Sequence, residues 1–162
     1  MRLGEHGFRW PRPLIALTVL LLLPLAAAHA DLLAAEPADR TVVRSATTEA
    51  SLRFSEPVEV TFSRFELYRL AEEAPPGEPS EREWQRLSGL AAVLLTEGGS
   101  ELRSAEARVE TTISTGERRS DSITITWEEP LEPGVYVLAW RALSIDTHIV
   151  QGFVTFVVAP DE

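Results

Sequence analysis

From residue 31 onward, apolar and polar residues alternate with a period of two, which places successive side chains on opposite faces of an extended chain. Leu52 and Phe54 flank Arg53, and Val58, Val60 and Phe62 are separated by Glu59 and Thr61. Ile123, Ile125 and Trp127 alternate with Thr124 and Thr126. Residues 135–140 and 153–158 are β-branched and aromatic runs, apolar on both parities, as in strands buried on both faces. Turn signals punctuate these runs at Ser55-Glu56-Pro57, Glu129-Pro130 and Glu132-Pro133-Gly134. Several short strands so divided predict an all-β antiparallel sandwich or small barrel.

The middle of the chain departs from this rhythm. Residues 71–80 are acidic and Pro-rich, which predicts an exposed loop. Ser80 and Glu83 then have capping-box spacing, and Trp84, Leu87, Ala91, Leu94 and Leu95 recur at helical intervals. Gly89 interrupts that helix, and residues 91–95 read equally well as a strand. Gly98-Gly99-Ser100 marks another turn, and no internal repeat is present.

The beginning of the chain has a different purpose. Arg2, Arg9 and Arg12 precede an apolar run over residues 14–25, which ends in the small-residue segment Ala26-Ala27-Ala28-His29-Ala30. A basic head, an apolar centre and small residues at its close predict a secretory signal peptide over 1–28. The apolar stretch is shorter than the roughly 18–20 residues needed to cross hydrocarbon, so a retained anchor is the poorer reading. Cleavage after Ala28 would leave His29 as the new N-terminus. Cleavage after Ala30 would leave Asp31 and discard His29, and both cuts satisfy the small-residue rule. No second apolar run follows, so no stable membrane insertion is expected after processing.

Composition narrows the chemistry. The 162 residues carry a net charge of −10, and all 15 bases are Arg. Nucleic acid and anionic lipid both require a positive footprint and are poor partners for such a chain. With no Cys, there are no disulfides, thiolate metal sites, iron–sulfur clusters or cysteine nucleophiles. No Gly-x-Ser-x-Gly, phosphate loop or His-Glu-x-x-His occurs, so hydrolase and nucleotide chemistry lack their residues.

Three His are present, and His6 lies in the leader. A chain starting at His29 therefore holds only His29 and His148. A freed His29 offers an α-amine and an imidazole nitrogen that can close a chelate ring on one metal ion. The α-amine titrates at about 7.7–8.0, so a metal can displace its proton near neutral pH. In Ser144-Ile145-Asp146-Thr147-His148, Asp146 and His148 stand two apart, and on extended backbone they would point the same way. Three nitrogens and one oxygen laid out tetragonally suit Cu(II); Zn(II), the competitor, prefers tetrahedral sites. On spacing alone, Asp-x-His is more often a surface loop than a ligand pair.

Larger strings of sequence carry further information. His29-Ala30-x-Leu32 with Glu36-Pro37-Ala38, then Leu52-Arg53-Phe54-Ser55-Glu56-Pro57-Val58, resembles the CopC family of periplasmic copper-binding, copper-resistance proteins. So do Gly134-Val135-Tyr136, the string from Trp140 through Arg141, Ala142, Leu143, Ser144, Ile145, Asp146 and Thr147 to His148, and Gly152-Phe153-Val154-Thr155-Phe156. The resemblance covers residues 29 to about 70 and about 121 to 158. It implies an immunoglobulin-like or cupredoxin-like Greek-key β-barrel or sandwich spanning 29–160, with an acidic, Pro-rich insertion at about 71–105. It also implies one Cu(II) per chain, held by the amine and imidazole of His29 with Asp146 and His148, in a periplasmic protein of copper homeostasis. A membrane copper transporter is the partner it suggests. The insertion is either decoration or a docking surface. Some relatives carry a Met-rich Cu(I) site; here the only Met is Met1, so no such site is expected.

Two other functions remain in view. One is a copper-dependent oxidative enzyme of the N-terminal-histidine type, which needs an open equatorial position that Asp146 would fill. The other is a metal-free β-sandwich interaction domain, favoured if cleavage removes His29. Trp127 and Trp140 are expected in the core, and Arg141 either steadies Asp146 or faces solvent.

Overall fold

The computed structural model describes residues 30–44, 47–96, 108–115 and 117–160. In chain order the strands are β1 (Leu32–Glu36), β2 (Thr41–Arg44), β3 (Glu49–Glu59), β4 (Arg64–Arg69), β5 (Arg108–Val109), β6 (Thr112–Ile113), β7 (Arg119–Thr126), β8 (Gly134–Leu143) and β9 (Ile149–Ala159). A 3-10 turn at Val60–Phe62 precedes β4, and one helix, α1 (Glu81–Leu95), follows it. The strands form two sheets, β1-β3-β7-β6 and β2-β9-β8-β4-β5, packed as an open sandwich rather than a closed barrel. Every pairing is antiparallel except β2 with β9, which is parallel, so the second sheet is mixed.

The alternation read from the sequence sorts into layers as expected. Leu52 and Phe54 of β3, Ile123 and Ile125 of β7, Phe65 and Leu67 of β4, Leu138 of β8 and Phe156 of β9 form the core between the sheets. Burying side chains of this size stabilises by roughly 1.5–3 kcal/mol each. Trp127 is buried and its indole N–H donates to the Thr47 carbonyl oxygen at 3.0 Å. Trp140 is partly buried against the same core.

The runs that are apolar on both parities have a second explanation in α1. Tyr68, Val135, Val137, Ala139 and Val157 face away from the sandwich core and pack against Trp84, Leu87, Ala91 and Leu94 of the helix. Ser80 caps α1 by accepting from the Glu83 backbone N–H, and the Glu83 carboxylate accepts from the Ser80 N–H at 2.7 Å. Residues 91–95 are therefore helical, which decides the ambiguity in the sequence. The helix of the insertion packs on the outer side of the second sheet.

One strand ends sooner than its pattern predicts. Val58, Val60 and Phe62 alternate as a strand would, yet β3 stops at Glu59, and Phe62 is 64% exposed on the 3-10 turn. Before β3 stops, its register with β7 shifts. Arg53 pairs with Ser122 and Val58 with Ser120, so the residues between them bulge out of the ladder. Pro57, which has no N–H to give, sits in that bulge. Past the bulge, Val58 also forms an isolated bridge to Ser144, the residue after β8. Val58 is thus tied both to β7, through Ser120, and to the residue that follows β8, which joins the two sheets at a corner. Among the described residues, no helix is long and apolar enough to cross a membrane.

Candidate metal centre

The β8–β9 hairpin rises beside this corner. Leu143 pairs with Ile149, the Ser144 N–H donates to the His148 carbonyl oxygen at 2.8 Å, and the Thr147 N–H donates to that of Ser144 at 3.0 Å. These bonds close a three-residue loop of Ile145, Asp146 and Thr147, with Thr147 at φ 73°. Such loops end in a left-handed residue, a position usually held by Gly. A β-branched side chain there is a backbone outlier, costing on the order of 1–3 kcal/mol, and such strain concentrates at functional sites.

The loop brings Asp146 and His148 together by a route different from the one their spacing suggested. They do not stand on extended backbone with parallel side chains. Asp146 folds back instead: its Oδ1 accepts from the His148 backbone N–H at 3.1 Å, and its Oδ2 lies 2.9 Å from His148 Nδ1. Asp is a residue that readily closes a turn on the backbone two positions ahead. The His148 N–H, more than any other group, holds the Asp146 carboxyl down at about 2 from its ordinary 3.8. Desolvation pushes the other way, and the His148 ring and the Ser144 side chain add smaller lowering effects. Ser144 Oγ is buried without a hydrogen bond of good geometry, so its influence on Asp146 is that of a nearby dipole. The Asp146 side chain is 25% exposed and that of His148 60%, so both are reachable from solvent.

This pair can act in two ways. With a proton on Nδ1, the ring donates to Asp146 and carries its lone pair on Nε2, the arrangement in which a carboxylate orients a metal-bound imidazole. With Nδ1 deprotonated, two lone pairs stand 2.9 Å apart. Cis ligands at metal bonds of about 2.0–2.1 Å are separated by about 2.8–3.0 Å, so that spacing is also the bite of one ion. Among the described residues, no group of three His, Cys, Asp or Glu side chains could hold a metal by itself. His29, the remaining predicted ligand, and the leader lie outside the described residues.

The first described residues point to this same corner. Ala30 is fully buried in the core. The Asp31 N–H donates to Ser55 Oγ at 2.9 Å, and the Ser55 N–H donates to the Asp31 carbonyl oxygen at 2.8 Å. With Leu32 paired to Phe54, the start of β1 runs antiparallel to the β3 bulge, toward Val58 and its bridge to Ser144. The bulge carries Phe54-Ser55-Glu56-Pro57, a string visible in the sequence whose role as a joint between β1 and the hairpin was not. Arg141 is exposed, and no contact among the described residues ties it to Asp146. Asp31 and Glu36 are exposed as well.

Comparison with known proteins identifies the family and the fold. The family model described as the CopC domain matches residues 32–98 and 87–159. The structure of CopC from Methylosinus trichosporium OB3b superposes with a TM-score of 0.55 at 23% identity, covering 83% of this chain and 97% of that one. PcoC from Escherichia coli, described as a methionine-rich copper resistance protein, gives a TM-score of 0.54 at 26% identity, covering 81% of this chain and 99% of that one. No curated protein sequence matches the chain. The methionine richness of the Escherichia coli protein has no counterpart here, since the sole methionine is Met1.

Proposed function

The chain belongs to the CopC family of copper-resistance proteins, and from that premise we propose that it holds one Cu(II) ion at the β8–β9 hairpin, outside the cytoplasm, for copper handling. In this reading, removal of the leader after Ala28 frees the amine and imidazole of His29, which join Asp146 and His148 in a tetragonal set of three nitrogens and one oxygen. The observation that carries the proposal is the Asp146–His148 pair, already oriented by two hydrogen-bonding contacts and spaced as cis ligands. Support for the other half comes from the fixed start of β1. His29 is one peptide bond from Ala30, which is buried beside the corner that Val58 and Ser144 share.

Asp146 would occupy the fourth equatorial position. That leaves none open for oxygen, which favours holding and passing on Cu(II) over oxidative turnover. The expected partner is a membrane copper transporter, and the expected compartment is the periplasm.

The test compares Cu(II) affinity for the chain beginning at His29 with the same chain carrying one additional N-terminal residue. The extension converts the amine ligand into an amide and should weaken binding severely. Equal affinities would contradict the chelate.

A further inference from the structure

Helix α1 covers only part of the outer face of the second sheet. It packs over Val135, Val137 and Ala139 of β8 and their neighbours, whereas Arg141 and Leu143, on the same face and nearer the hairpin, lie beyond the residues it packs against. Across the strands, Arg64 pairs with Arg141 and Arg141 with Gln151, and in the next row Leu143 pairs with Ile149. All these side chains share the outer face, because their neighbours Phe65, Ala142 and Val150 point into the core.

Two features set this area apart. Arg64 and Arg141 face each other on adjacent strands, both exposed, and neither has an ion pair among the described residues. Like charges directly opposite across a ladder are destabilising. Most other described Arg in this chain of net charge −10 do find carboxylates, including Arg40, Arg69, Arg86, Arg108, Arg118 and Arg119. The second feature is apolar exposure beside the pair, with Ile149 50% and Ile145 45% exposed. Phe62 stands at the same end, where the next residue's hydroxyl, Ser63 Oγ, accepts from the Leu143 N–H at 3.0 Å.

We propose that this uncovered strip of β4, β8 and β9 is a docking surface for an acidic segment of a partner protein, one bearing carboxylates spaced by aliphatic side chains. Two guanidinium groups side by side clamp a carboxylate and lose their mutual repulsion when it arrives. Ile149, Ile145 and Leu143 take up the aliphatic side chains and exclude water. Charge complementarity selects a short occupant: an acidic segment meets Arg64 and Arg141 alone, whereas a second copy of this acidic chain, or an anionic bilayer, sets its negative charge against the rest of the molecule. The surface adjoins the candidate copper hairpin but is argued without copper, so either reading stands if the other fails.

The experiment titrates the 15N-labelled, metal-free mature protein at low salt with a synthetic peptide of alternating glutamate and leucine. Amides of Arg64, Arg141, Leu143, Ile149 and Gln151 should shift, and a lysine–leucine peptide should leave them in place. Arg64→Ala and Arg141→Ala should each weaken binding about three- to fivefold, the upper part of the range for an exposed charge contact. Arg53→Ala and Arg82→Ala, at isolated surface arginines, should not change it. Arg64→Glu should favour the lysine peptide, a reversal that misfolding would not produce. The proposal is overturned by shifts mapping elsewhere, by equal response to both peptides, by binding to phosphatidylglycerol vesicles without binding to the peptide, or by self-association that moves the same amides.

Discussion

Gly152 lies where β9 passes under Trp140, and a single methyl group added there tests the packing that supports the hairpin. The two residues pair directly across β8 and β9. A Cβ at position 152 would stand 2.5 Å from Trp140 Cζ2, 3.0 Å from Cε2 and 3.1 Å from Cη2. Carbon atoms pack at about 3.5–4.0 Å, so the indole would have to retreat by about 1 Å. It has little room, because its ring meets Phe54 edge-on at 6.4 Å, and Phe54 in turn packs against Phe65 at 6.4 Å. Overpacking of this kind costs about 1–3 kcal/mol, and the shortness of the contact puts Gly152→Ala at about 2 kcal/mol. At about 4 °C per kcal/mol for a domain of this size, Tm should fall by about 8 °C. Urea denaturation followed by far-UV circular dichroism measures the loss. Two controls separate packing from backbone effects. Gly89→Ala, in the helix with no atom within 4 Å of the added methyl, should stabilise by about 0.5–1 kcal/mol. In a Trp140→Phe background, which lacks Cζ2 and Cη2, Gly152→Ala should cost much less than in the parent. A Gly152→Ala protein as stable as the parent, or a cost unchanged by Trp140→Phe, would refute the reasoning.

Other consequences concern the loop itself. Replacing Thr147, at φ 73°, with Gly removes left-handed strain of about 1–2 kcal/mol and adds about 0.5–1 kcal/mol of chain entropy, so Thr147→Gly should be net stabilising in urea; a lower midpoint would contradict the assigned strain. Asp146 binds a proton less readily folded than unfolded, at about 2 against an ordinary 3.8. Its contribution to stability is therefore complete above the ordinary value and lost as pH falls from about 4 to about 2. A carboxyl 13C titration of the metal-free protein should place the Asp146 midpoint near 2, and a midpoint at or above 3.8 would exclude the hydrogen bonds described. Since Asp146 remains ionised throughout, loss of Cu(II) on acidification should come from protons competing for the histidine nitrogens. Affinity constant between pH 5 and 7 would argue against histidine ligation.

Much of the fold was legible because each strand had to satisfy a local rule. Leu52, Phe54, Ile123 and Ile125 lie in the core because period-two alternation leaves an antiparallel strand one dry face. The same rule misread Val60 and Phe62, since alternation says nothing of where a ladder ends. The ladder with β7 bulges around Pro57, a turn signal in the sequence, resumes at Val58 and stops at Glu59. The doubly apolar runs of β8 and β9 correctly announced burial on both sides, but the covering element came from a helix fifty residues away, beyond the reach of any local pattern. The parallel pairing of β2 with β9 is likewise a long-range choice. At the candidate site, the convergence of Asp146 and His148 was anticipated although its mechanism was not. Spacing of two fits both an extended strand and a turn closed by Asp, and the left-handed Thr147 that distinguishes them carries no sequence signature. The part played by Ser55, which pins Asp31 beside the same corner, was not anticipated either.

The central claim is that processing at His29 completes a Cu(II) site begun by Asp146 and His148. Native mass spectrometry of the untagged protein, exported by its own leader and given one equivalent of Cu(II), tests it most directly. The account predicts a chain that begins at His29 and carries one copper. A chain beginning at Asp31 and carrying none would contradict it.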